Sequence, residues 1–85
     1  MTIIGQNKGI IANYDNIQEI FIGADRTTIK IDFTSGRGCE AARYPAKEDC
    51  LLALERLSAA IEAGDKVFEF PQKIERHGIN RSKQK

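Results

Sequence analysis

The stretch "IKIDFTSGRGCEAARYP", residues 29–45, decides the fold. Ile29, Ile31 and Phe33 alternate with Lys30, Asp32 and Thr34, the period-two signature of a half-buried strand. "TSGRG" then offers turn residues. Cys39 to Tyr44 reads as the returning strand, although its alanines are weak strand formers. At Pro45 the period changes from two to between three and four. The chain therefore turns from strand to strand here and then commits to a helix.

The glycines of "FTSGRG", residues 33–38, also raise the question of a phosphate cradle. A P-loop needs a longer glycine spacing, a Lys-Ser/Thr pair and a helix whose amides face the anion. Here a strand follows. The dinucleotide fingerprint is incomplete as well, because Ala41 stands where its third glycine belongs. A hairpin turn is the better account, with Gly36 or Gly38 supplying the positive φ.

Upstream, Ile17 to Ile22 ("IQEIFI") is β-branched and aromatic, with Ile20 and Ile22 on one face. "GADR", residues 23–26, joins it to the 29–33 strand as a hairpin. Thr2 to Gly5 and Gly9 to Tyr14 read as two short strands around "QNKG". Asn13 to Asn16 forms another turn, where Asn and Asp side chains bond nearby backbone.

Downstream, Pro45 suits a first helical turn and Glu48 and Asp49 suit the positive end of the helix dipole. Cys50, Leu54, Leu57 and Ile61 make one apolar stripe, and Gly64 ends the helix as a left-handed cap. The helix should span about 46–63. "KVFEF", residues 66–70, is a last short strand or extended piece, stopped by Pro71.

The order predicts an α+β fold. It comprises an antiparallel β-meander of about four to five strands, one C-terminal α-helix packed on one face, and a short extended segment. Residues 1–71 form the single domain and 72–85 a basic, disordered tail. Residues 1–72 carry 8 Lys/Arg against 11 Asp/Glu, while 73–85 carry 5 basic residues against Glu75.

The chain has 85 residues, 41% apolar and 29% charged. A domain of this size buries only about 60% of its unfolded surface, which leaves little room for an enclosed active site. No apolar run approaches the roughly 20 residues of a membrane span. No secretory signal is evident at the N-terminus, so a cytoplasmic location is expected. Cys39 and Cys50 lack a redox or zinc spacing and are expected to be free thiols.

His77 is the single histidine, and carboxylates such as Asp15 and Asp25 fall on turns. An acid–base pair, a base beside either cysteine, and a metal ligand set are all missing. The expectation is a protein that is not an enzyme and takes no cofactor or metal.

Two surfaces are candidates for binding. At 100° per residue Leu52 lies opposite Leu54, with Ala59 and Ala63 beside it and Arg56 between. This seam is a candidate for a protein partner or a homodimer. Arg37 and Arg43 with Tyr44 are candidates for an anion, with Tyr44 as a stacking platform. Asp32 and Glu40 interleave with these cations, which favours a solvated mixed-charge face.

"IIANYDNIQEIFI" (10–22), with its N-x-D-N-I step between strands, and "YPAKEDCLLALERLSAAIEAGDKVFEFP" (44–71) carry a resemblance. Residues 1–71 resemble a loose group of small, mostly uncharacterised proteins of Gram-positive bacteria and their phages. The resemblance implies no catalytic residue. It implies a mobile-element context, in which proteins of this size inhibit or regulate host machinery, including host defence. The leading expectation is thus a small binding module acting by protein–protein contact on a host or self protein. The runner-up is a binder of anionic ligands, nucleic acid or a small nucleotide, either as a single chain or as a homodimer.

Overall fold

A computed structural model of the chain describes residues 1–74. Six strands and one helix follow in the order β1 (Thr2–Ile4), β2 (Ile11–Asn13), β3 (Ile17–Ile22), β4 (Thr28–Phe33), β5 (Gly38–Arg43), α1 (Lys47–Ala63) and β6 (Val67–Glu69). The expected α+β class holds. The strands divide between two three-stranded ladders, ordered β2-β1-β6 and β3-β4-β5. The second is an antiparallel meander. In the first, β1 pairs antiparallel with β2 and parallel with β6.

The break between ladders lies at Asn13–Asn16. Asn13 Oδ1 accepts from Asp15 N–H at 2.9 Å and caps a 3₁₀ turn over Tyr14–Asn16. That turn swings the chain out of the first ladder, so β3 begins the second.

Both hairpins of the meander have a local cause. In the 33–38 turn Gly36 N–H donates to Phe33 C=O at 2.9 Å and Phe33 N–H to Arg37 C=O at 2.7 Å. Gly36 is left-handed, with φ 96°. This is a three-residue loop of a type I turn plus a left-handed residue, which favours glycine at that place. At 23–28, Asp25 Oδ1 accepts from Thr27 N–H, Thr28 N–H and Thr28 Oγ1–H at 3.0, 3.1 and 2.8 Å.

The helix ends as expected. Gly64 has φ 75°, its N–H reaches Ile61 C=O and Asp65 N–H reaches Ala60 C=O. These two bonds are a Schellman cap. At the other end Ala46 is extended, so Pro45 stands just before the helix rather than in its first turn.

The core joins Ile3, Ile29, Ile31, Ala41, Ala42, Tyr44, Cys50, Ala53, Leu57 and Phe70. Helix α1 buries Cys50, Ala53, Leu57 and Ala60. The alanines let the helix lie close, which rotates the expected stripe. Leu54 is half-buried and Ile61 is left exposed, correcting the expectation that Ile61 packs on the sheet.

The boundary at residue 71 also moves. Gln6 Nε2 donates to Gln72 C=O at 2.8 Å and Ile74 packs on the core, so 72–74 belong to the folded body. The rest of the expected tail, 75–85, lies outside the described residues. No helix among the described residues is long and apolar enough to cross a membrane.

Candidate functional site

A β-sheet edge exposes unpaired N–H and C=O groups, so each edge is a place where another chain can add. Among the described residues there are four edges: β2 and β6 in one ladder, β3 and β5 in the other. Strands β2 and β6 have three residues each. The end of β5 is closed from within, because Gln6 Oε1 accepts from Arg43 N–H at 2.9 Å and Gln6 Nε2 donates to Arg43 C=O at 3.0 Å. Strand β3 has six residues and, among the described residues, pairs only with β4.

The backbone of β3 is oriented for such an addition. Gly23 N–H donates to Thr28 C=O at 2.9 Å, which marks that pair as hydrogen-bonded. Ladder alternation then turns the N–H and C=O groups of Ile20 and Ile22 to the open edge. A bulge at Gln18 breaks the register between Ile17 and Glu19. It lets Ile17 and Ile20, three residues apart, both turn toward the helix side.

Beside this edge lies a groove of about 360 Å³ between β3 and α1. Tyr14, Ile17, Ile20, Leu54, Leu57 and Ile61 form its apolar lining. Tyr14 is 36% exposed and Ile61 40% exposed, so the lining reaches solvent on both sides. Glu19 and Glu62 also line it, and neither makes an ion pair among the described residues. Two features of the sequence bear on this site: the helical spacing of Leu54 and Ile61, and the tyrosine in the Asn13–Asn16 turn. By themselves they read as core and as turn, and only the fold joins them into one surface.

The expected helix seam lies on another flank. Leu52 is half-buried, and Arg56, Ala59 and Ala63 are exposed. None of the four lines the β3–α1 groove.

The expected anion constellation comes apart. Tyr44 is 2% exposed and its hydroxyl donates to Pro71 C=O at 2.7 Å, so it offers no stacking face. Burial, ahead of smaller charge effects, pushes its pKa up to about 12. The cause is a second bulge. The β4–β5 register shifts between Ile29 and Lys30, which buries both Ala41 and Ala42 and turns Tyr44 inward.

Arg43 stays outward beside two carboxylates, Glu40 Oε1 at 3.2 Å and Asp25 Oδ2 at 3.9 Å. Arg37 stands at the opposite end of β5, six residues away, or about 20 Å along a strand. Asp15 and Asp25 likewise sit at opposite ends of β3 and do not meet.

Cys39 and Cys50 are free, and burial pushes both thiols above their ordinary value. Neither is therefore activated as a thiolate. Among the described residues no three His, Cys, Asp or Glu side chains gather as a metal site would require. No known protein family, curated protein or solved structure matches the chain.

Proposed function

We propose that this protein is a non-enzymatic binding module that receives an extended segment of another protein along β3. The partner strand adds to the open edge through the Ile20 and Ile22 backbone and lays alternate apolar side chains in the β3–α1 groove. Main-chain bonds give affinity in this mode, and the pockets for alternate side chains give specificity. Glu19 and Glu62 select basic residues at the rim.

The observation that carries this reading is the coincidence of a six-residue edge, unpaired among the described residues, with an apolar groove whose rim carboxylates form no ion pair among those residues. The same carboxylates weigh against a second copy of this chain as the occupant. Self-pairing of β3 would bring two β3–α1 grooves together, each with Glu19 and Glu62, and so gather like charges without a basic partner. The free thiols support a reducing, cytoplasmic setting. A host protein as the partner, and an inhibitory or regulatory outcome, are what the resemblance in sequence implies.

Panning a random peptide library on the immobilised protein tests the reading. The expected ligands alternate apolar and basic residues. They lose binding to Ile61→Asp and keep it with Ala63→Asp, on the flank away from the groove. No enrichment, or ligands that bind Ile61→Asp as well as the wild type, would overturn it.

A further inference from the structure

The end of the meander that holds the 33–38 hairpin carries a second cleft, separate from the β3–α1 groove. Its volume is about 500 Å³ and its lining is Asn16, Phe33, Thr34, Ser35, Arg37 and Gly38. We infer that this cleft binds a sugar phosphate monoester that carries a flat base, of the nucleoside monophosphate class, with Arg37 on the phosphate and Phe33 against the base. The inference does not depend on the β3 reading.

Three observations converge on it. The first is charge. Arg37 is exposed and makes no ion pair among the described residues, unlike Arg43 with its two carboxylates. A guanidinium presents a planar fork of donors that matches phosphate oxygens. Asp32 faces Gly38 across the ladder, its Oδ1 2.8 Å from where a Cβ on Gly38 would stand, so one carboxylate adjoins the cleft without lining it.

The second is unspent hydrogen-bonding capacity. The side chains of Asn16, Thr34 and Ser35 form no hydrogen bond among the described residues. Two hydroxyls and an amide around one arginine can complete the shell of a phosphate, and charge-assisted bonds of this kind are the strong ones. The half-buried ring of Phe33 supplies the remaining wall.

The third is rigidity. The two bonds that close the Phe33–Arg37 loop are joined by Thr34 N–H donating to Asn16 C=O at 2.9 Å. The cleft is thus held from both the Tyr14–Asn16 turn and the hairpin before any ligand arrives, which lowers the ordering cost of binding. No glycine cradle is needed, because side chains and not loop amides meet the anion.

The test is titration of the full chain with adenosine monophosphate, inorganic phosphate and adenosine, followed by backbone amide shifts at low salt. Adenosine monophosphate should move the amides of 16 and 33–38 and saturate. Adenosine should bind at least about tenfold more weakly, as expected for loss of bonds to a charged group. Arg37→Ala should weaken adenosine monophosphate by about tenfold or more. Arg26→Ala, an exposed arginine at the far end of the meander, should leave it unchanged.

Phe33→Leu should keep phosphate binding and remove the advantage of the nucleotide over inorganic phosphate. If that variant does not fold, the same advantage read in the wild type decides the point. Equal affinity for phosphate and nucleotide would exclude the ring site. Absence of saturable shifts at 16 and 33–38, or equal loss in Arg37→Ala and Arg26→Ala, would overturn the inference.

Discussion

The side-chain amide of Gln6 pairs with the backbone of Arg43 as a neighbouring strand would, accepting from its N–H at 2.9 Å and donating to its C=O at 3.0 Å. The same Nε2 reaches Gln72 C=O at 2.8 Å. One side chain therefore closes the Arg43 end of the β5 edge and ties the C-terminal segment across to it. Because these groups are solvent-accessible, water recovers part of any loss. Gln6→Ala should cost about 1–2 kcal/mol in denaturant unfolding, from two or three ordinary hydrogen bonds lost at a partly exposed site. An unchanged midpoint would show that the two ladders do not need this link.

Gly5, next to Gln6, marks how closely the ladders approach. A Cβ there would stand 2.6 Å from Ile10 Cγ2 and 3.0 Å from the Ala41 carbonyl oxygen. The carbonyl belongs to the β5 bulge and has little room to retreat. Gly5→Ala should destabilise by about 1–3 kcal/mol, the usual range for overpacking. Thermal unfolding measures this, and a gain in stability would contradict the close approach.

Tyr44 anchors Pro71 from inside the core. Tyr44→Phe keeps the ring packing and removes the 2.7 Å bond to Pro71 C=O, at a cost of about 1–2 kcal/mol. The phenol adds a pH signature. Its folded pKa, about 12, lies above the ordinary 10.0. A raised folded pKa means its stabilising contribution is whole below pH 10 and is lost as pH climbs toward 12. Stability of the wild type should therefore fall over that window more steeply than that of Tyr44→Phe. Equal slopes would refute the assignment.

Asp25 gives the opposite sign. Bonds from Thr27 N–H, then from Thr28, hold its carboxyl below the ordinary 3.8. A lowered folded pKa stabilises above the ordinary value and is lost as pH falls through the folded one. Acid unfolding of Asp25→Asn should therefore show a shallower loss of stability below pH 3.8 than the wild type. A parallel acid limb in the two proteins would remove Asp25 from the account.

The fold was largely legible because its elements are punctuated locally. Strand β3 and the left-handed Gly36 and Gly64 fall where alternation and turn chemistry place them. The bulges were not legible. Extending the alternation from Cys39 puts Arg43 inward and Tyr44 outward, and one unpaired residue in β5 reverses both. That shift withdraws Tyr44 from the expected patch, and the length of β5 separates Arg37 from Arg43.

The parallel pairing of β1 with β6 and the clasp of Gln6 on Arg43 join residues far apart in sequence, and no local pattern encodes them. The groove was hidden for a related reason. The helix rolls toward its alanines, so Leu54 and Ile61 become a surface instead of a core stripe.

The central claim is strand addition at β3, and amide hydrogen exchange with a panned peptide tests it most directly. The outward amides of Ile20 and Ile22 should exchange fast in the free protein and become protected when the peptide binds. Those of β2 and β6 should not change. Protection confined to β2, β6 or the Leu52–Ala63 flank, with Ile20 and Ile22 still exchanging fast, would contradict the account.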